Sequence, residues 1–240
     1  MAVTDRMTEI DGARGGSGQM FDRIAARYDT LNRLMSLGLD RIWRRRLVLA
    51  LGCEGRCRVL DVATGTADVA IDVATYHPLG QVTGLDPSKG MLEVGQRKIE
   101  QMGLEQRVEL VEADAQAMPF EDDRFDAACV SFGIRNVPDR LLGLREMTRV
   151  TRPGGRVVVL ELSEPTEGIM APFARFHVHH VVPRLGALLS GSKEYRYLQE
   201  SIQAFPSPSD FADLMREAGL RDVRHEKMSF GAAYLYTGTV

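Results

Sequence analysis

Apolar positions change their spacing twice along this chain. From Met20 they recur at helical intervals, with Phe21, Ile24, Ala25 and Tyr28 on one face. A second helix is predicted from Asp40, as N-cap, to Leu51, with Gly52 closing it. From Arg58 the pattern becomes short β-branched and aliphatic runs: Arg58–Ala63, Gln81–Asp86, Val108–Glu112, Phe125–Phe132 and Arg156–Leu162. Between them lie amphipathic stretches. One runs from Asp68 to Thr75, one puts Leu92, Gly95, Ile99 and Met102 on a single face, and one carries Leu141, Leu144, Met147 and Val150 before Pro153 and Gly154 force a turn. Beyond Glu164 the alternation stops. A weakly charged stretch, P-F-A-R-F-H-V-H-H-V-V-P-R-L-G-A-L-L-S-G, is followed by helical spacing over Tyr195–Ile202. Ser207, Pro208 and Asp210 then start a helix that ends at Gly219, and Val223–Met228 and Ala232–Thr237 read as a closing hairpin around Ser229-Phe230-Gly231.

Strands that alternate with helices at short spacing predict an α/β fold with a doubly wound, parallel sheet. A chain of 240 residues fits one such domain. Residues 1–19 are glycine-rich and read as a disordered tail; residues 20–52 form helices that can lie over the open end of the sheet as a lid. Residues 58–163 make the core, 164–205 a helical insertion on the substrate side, and 206–240 the final helix and strands.

Charge and composition narrow the classes. A formal net charge of -3 leaves no basic footprint for nucleic acid. No run approaches the roughly 18 apolar residues of a membrane span, and the N-terminus lacks a secretory apolar core, which predicts a cytoplasmic protein. Cys53, Cys57 and Cys129 suggest neither a disulfide framework nor a zinc site. His177 and His180 share a helical face with no acidic ligand to complete a metal set, so packing or pocket lining is the better reading and no metal is expected. Arg41, Arg44, Arg45 and Arg46 around Trp43 admit contact with an anionic membrane surface, but a solvated helix face around one buried Trp is favoured.

Candidate chemistry gathers at V-L-D-V-A-T-G-T-A-D, Val59 to Asp68, a strand ending in a glycine turn that feeds a helix. Asp86 ends the next strand about 20 positions beyond the turn, where a carboxylate accepts ribose hydroxyls, unless it caps the following helix instead. A dinucleotide oxidoreductase would show G-x-G-x-x-G, which this turn lacks. S-adenosylmethionine is the better fit: Asp86 on ribose, Asp114 and Ala115 at the adenine, and the Gly65 turn at the methionine end, with Asp61 beside it.

The chain resembles the ubiquinone and menaquinone biosynthesis C-methyltransferase family, class I methyltransferases acting on polyprenylated quinols. The segments that carry the resemblance are Y-D-T-L-N-R-L-M-S-L-G-L-D-R-I-W at 28–43, V-S-F-G-I-R-N-V at 130–137, R-V-T-R-P-G-G-R-V-V-V-L-E-L-S at 149–163 and S-K-E-Y-R-Y-L-Q-E-S-I at 192–202. The resemblance implies a Rossmann-like class I methyltransferase sheet and cofactor contacts at Thr66, Asp86, Asp114, Ala115 and Ser131. It implies C-methylation of demethylmenaquinol, a lipid-tailed substrate met at the inner face of the membrane. The alternatives are the benzoquinol of ubiquinone synthesis, a small aromatic metabolite, or a cofactor-binding protein without catalysis. Arg135 and Asn136, leaving a central strand at its carboxyl end, are candidates to steady a quinol oxyanion; Tyr28 is a candidate to orient it or carry a proton. A homodimer is permitted. Two departures from the family pattern stand out: Ala67 replaces the second glycine of G-T-G-D, and Tyr236-Thr237-Gly238 stands where a histidine precedes a glycine. The Ala67 methyl is expected to crowd the cofactor or to demand a rotated turn.

Overall fold

The computed structural model describes residues 38–163 and 192–240, together with Ala25, Asp29, Arg33 and Ser36. The predicted tail, Tyr28, the three clustered histidines and most of the insertion lie outside the described residues. Within them, helix α1 (Asp40–Ala50) leads into β1 (Arg58–Val62), α2 (Asp68–Tyr76), β2 (Gln81–Asp86), α3 (Lys89–Gln101), β3 (Val108–Glu112) and β4 (Phe125–Ser131). A short turn of 3-10 helix (Ile134–Asn136), α4 (Arg140–Val150) and β5 (Thr151–Leu162) follow. After the insertion come α5 (Ser192–Gln203), α6 (Pro208–Glu217), β6 (Arg221–Met228) and β7 (Ala233–Thr239).

The seven strands form one sheet in the order β3-β2-β1-β4-β5-β7-β6. β1 to β5 pair in parallel and β7 enters antiparallel, Val159 opposite Tyr236. β1, β2 and β4 are buried along nearly their whole length, which is why their sequences are largely apolar, whereas the edge strand β3, V-E-L-V-E, is half-exposed. Alternate residues feed two cores. Leu60, Val62, Val130 and Val159 pack with Leu144 and Met147 of α4 and Phe211 and Met215 of α6. Val59, Cys129, Val158 and Leu160 pack with Trp43 and Leu47 of α1, Val69 and Val73 of α2, and Ile99. Each fully buried side chain of this size contributes about 1.5–3 kcal/mol.

Four local expectations need correction. Asp40 is the first residue of α1 and not its cap; its carboxylate accepts from Ser36 Oγ at 2.8 Å and pairs with Arg44 at 2.8 Å. Met102 is 57% exposed, because α3 ends at Gln101 and Met102 caps it. The turn expected at T-R-P-G-G is absorbed into β5 as an irregular start: Thr151 pairs with Phe125, the register then slips, and Arg156 pairs with Ala127. Pro153 and Gly154 sit in that slip, where no ladder N–H is required of proline. The closing hairpin is longer than its apolar pattern, since β6 begins at Arg221 and β7 ends at Thr239.

Candidate active site

Strand order reverses between β1 and β4, with β2 on one side of β1 and β4 on the other, so a crevice is expected outside their carboxyl ends. The registers bring the site residues to that edge: Val62 lies opposite Leu85 and Val130, Asp86 opposite Glu112, and Ser131 opposite Leu160. Gly65 has φ +56, a conformation glycine adopts without penalty, and a Cβ built on it would meet nothing within 4 Å. The turn is thus open in front of Gly65. On the other strand, a Cβ on Gly133 would lie 2.5 Å from the Ala63 methyl, so only glycine lets the loop leaving β4 approach the β1 turn this closely.

Asp86 resolves the competition posed by its sequence position. Helix α3 is capped by Ser88, whose side chain accepts from Met91 N–H, and not by Asp86. Asp86 instead accepts from the Gly65 N–H at 2.8 Å and from the Ser88 N–H at 2.9 Å, tying the glycine turn to the end of β2. Asp114 lies exposed beyond β3, held by the Gln116 N–H at 2.9 Å, and Ala115 is buried beside it.

Asp61 is wholly buried. It accepts from Thr64 Oγ1 at 2.5 Å, and Cys129 Sγ donates weakly at 3.7 Å. Burial pushes its carboxyl up to about 7, against the pull of those hydrogen bonds. The Thr66 hydroxyl donates to Asp29 Oδ1 at 2.5 Å and accepts from Lys98 Nζ at 3.2 Å.

Ala67 is the N-cap residue of α2. Its backbone is left-handed, φ +64, and its methyl is wholly buried beside Gly95 of α3, where a Cβ on Gly95 would come within 3.0 Å of it. The methyl therefore faces the helix and not the open space before Gly65.

The loop leaving β4 is held from inside. Arg135 is buried, its guanidinium 3.0 Å from Glu161 Oε1 on β5, and it also donates to Phe132 O; its own N–H reaches Glu161 Oε2 at 3.1 Å. Arg135, the candidate cation, is thus paired inward with Glu161, while its Nε is buried and makes no hydrogen bond among the described residues. Next to it, Asn136 Oδ1 accepts from Tyr197 Oη of α5 at 3.2 Å, which leaves the amide N–H groups of Asn136 as its donors. Trp43 is 3% exposed; its Nε1 donates to Ser229 Oγ at 2.9 Å, and its ring meets the Phe132 ring edge-on at 6.1 Å. Its packing role is the favoured one of the two readings.

Ser131 Oγ, at the carboxyl end of β4, is buried and makes no hydrogen bond among the described residues. Such a group calls for a polar ligand atom. The orphaned hydroxyl, the open space before Gly65 and the acidic residue at the end of β2 fit S-adenosylmethionine. Solved structures share this architecture: a SAM-dependent methyltransferase from Aquifex aeolicus has TM-score 0.60 at 17% identity, over 82% of this chain and 89% of that one. Phosphoethanolamine N-methyltransferase 2 of Haemonchus contortus, solved with S-adenosyl-L-methionine, has TM-score 0.62 at 16% identity, over 82% of this chain and 51% of that one. The fold is the one shared by class I S-adenosylmethionine-dependent methyltransferases.

Residues 7–240 match the ubiE/COQ5 methyltransferase family, and the chain belongs to it. It is 44% identical over 219 residues to the ubiquinone/menaquinone biosynthesis C-methyltransferase UbiE of Syntrophotalea carbinolica, covering 91% of this chain and 92% of that protein. It is 46% identical over 221 residues to the demethylmenaquinone methyltransferase of Thermus thermophilus, covering 91% and 99% respectively. The chain is a SAM-dependent C-methyltransferase of quinone biosynthesis.

Three residues of the site region carry little signal in the sequence. Glu161 sits in an apolar strand, Tyr197 in a helix with several polar residues, and Lys98 among ordinary helix charges. Only the acidic interruption of V-V-V-L-E-L, a charge in a run otherwise buried on both faces, was available as a hint.

Proposed function

We propose that the substrate is demethylmenaquinol and that the product is the ring-methylated menaquinol. The observation that carries this is the 46% identity to a demethylmenaquinone methyltransferase over 99% of that protein's length. The cofactor supplies an electrophilic methyl group on a sulfonium. Asp86 holds ribose hydroxyls, Asp114 and Ala115 meet the adenine, Ser131 Oγ gives its unengaged hydrogen to a polar atom of the ligand, and the Gly65 turn admits the methionine end. Asp61 supports the turn through Thr64.

A ring carbon becomes nucleophilic when its neighbouring hydroxyl loses a proton. That hydroxyl titrates near ~10, and lowering it by about two units requires roughly 2.7 kcal/mol. Donors aimed at the oxygen in a water-poor pocket supply energy of this order. Asn136 Nδ2 is the donor favoured by its orientation on Tyr197; Arg135, neutralised by Glu161, acts by holding the loop. Tyr28 remains the proposed orienting or proton-carrying group. Alignment of the two reactants contributes alongside these.

A lipid tail would bring the reaction to a membrane surface; no helix among the described residues is long and apolar enough to cross one. Purified protein given labelled S-adenosylmethionine and reduced demethylmenaquinone should yield labelled menaquinone. Label entering only the benzoquinol precursor of ubiquinone, or no quinol at all despite cofactor binding, would reject the proposed substrate.

A further inference from the structure

The turn between β1 and α2 is unusual in its backbone. Ala63 (φ 52), Gly65 (φ 56) and Ala67 (φ 64) all lie in the left-handed region, and two of the three carry a Cβ. Such a conformation persists where the surroundings over-determine it. The surroundings here are a charged cluster built from three elements and Asp29. From α3, Lys98 Nζ reaches Asp29 Oδ2 at 2.9 Å and Thr66 Oγ1 at 3.2 Å, and it also donates to Asp68 Oδ1, the first residue of α2. An ammonium has three protons, and these three acceptors engage all of them. From α1, Arg44 reaches the other oxygen of Asp68 at 3.2 Å, Asp72 at 3.0 Å and Asp40 at 2.8 Å. Two cations thus face four carboxylates, Asp29, Asp40, Asp68 and Asp72, at sites that are only 6–37% exposed.

Lys98 is the member of this cluster that grips the turn itself, through Thr66 on one side of Ala67 and Asp68 on the other. Gly65, one residue earlier, presents the N–H that binds Asp86. We propose that Lys98 is a positioning residue for the cofactor: by holding Thr66 and Asp68 it fixes the left-handed turn, and with it the direction of the Gly65 N–H and the open space before Gly65. This rests on the reading of the turn as the S-adenosylmethionine site. Removing the ammonium leaves Arg44 alone among four carboxylates, whose mutual repulsion then pulls Asp68 and Asp29 apart and loosens the turn.

The test is calorimetric titration of the full chain with S-adenosylmethionine. Lys98→Met should weaken binding about tenfold, the loss expected when a charge-assisted contact that orients a site is removed, with stoichiometry unchanged. Lys98→Arg, which keeps the charge, should stay within about threefold of the parent. A residue important only for folding would lower the stoichiometry and leave the affinity alone. If Lys98→Met does not fold, Asp29→Asn replaces it, with an expected weakening of about threefold for one lost acceptor. Parent-like affinity in Lys98→Met, or in Asp29→Asn used in its place, overturns the proposal. Asp86→Ala is the control on the underlying reading: parent-like affinity there means that the cofactor site itself is misplaced, whereas loss in Asp86→Ala with none at Lys98 rejects positioning alone.

Discussion

Replacing Ala67 with glycine and Gly95 with alanine, singly and together, tests where the Ala67 methyl points. Ala67→Gly relieves a left-handed alanine, worth about 1–2 kcal/mol. It forfeits a wholly buried methyl, about 0.8 kcal/mol, and adds glycine's extra chain entropy, about 0.5–1 kcal/mol. The stability change should therefore stay within about 1 kcal/mol of zero. Gly95→Ala gains about 1 kcal/mol of helix propensity, but its new Cβ would lie 3.0 Å from the Ala67 methyl and 3.2 Å from the Thr66 backbone carbon. Overpacking of this kind costs about 1–3 kcal/mol, so the single variant should lose about 1 kcal/mol. In the double variant the closest of those contacts disappears. The pair should be more stable than the sum of its singles by about 1 kcal/mol, read as a double-mutant cycle from urea unfolding. Additivity within about 0.3 kcal/mol would show that the two positions do not touch. The same variants speak to the cofactor: affinity in Ala67→Gly should stay within about twofold, since the methyl faces α3, and a tenfold gain would restore the crowding argument and refute the geometry.

Three further outcomes follow from buried polar groups. Asp61 has a folded value of about 7 against an ordinary value of 3.8, so between those values the native state holds a proton that the unfolded chain has lost. Stability should fall as pH rises from about 4 to 7 and level off above it, and Asp61→Asn should flatten that slope in urea titrations; an unchanged slope would assign the effect elsewhere. Glu161→Gln leaves the Arg135 guanidinium buried without its counter-charge and should cost about 3–5 kcal/mol, whereas a loss under about 1 kcal/mol in chemical denaturation would mean the pair is solvated. Ser131→Ala removes a hydroxyl without a protein partner among the described residues, so melting should barely shift while cofactor affinity falls about tenfold; a drop in melting temperature with intact affinity would make the hydroxyl structural.

The legible part of this protein is the part whose chemistry is periodic. The central parallel strands were visible because both-face burial writes a largely apolar run, the half-exposed edge strand β3 because its apolar Val108, Leu110 and Val111 stand out between charges, and Gly65 and Asp86 because a nucleotide turn needs its glycine and its acid at a set distance. Boundaries failed where a local signal was outvoted by a neighbouring strand. Pro153 and Gly154 form a turn by themselves, but β4 supplies a partner for Thr151 and the slip in register accommodates the proline. Side-chain pairing across elements was the least legible of all. Arg135 and Glu161 are 26 positions apart, and Lys98 and Thr66 are 32 apart.

That gap alters the division of labour within the site. An arginine in S-F-G-I-R-N reads as a cation offered to substrate as long as its partner is unknown. Once Glu161 is seen to neutralise it and to accept from its backbone N–H, the same residue becomes the anchor of the loop. In the reaction proposed above, the task of meeting a quinol oxygen falls to its neighbour, since Asn136 has its carbonyl engaged by Tyr197 and its amide hydrogens left to donate. A loop built this way separates rigidity from recognition. A buried charge pair holds the backbone against the sheet, and in the proposed reaction a neutral donor, which need not shed a tightly held hydration shell, would make the contact with the developing oxyanion.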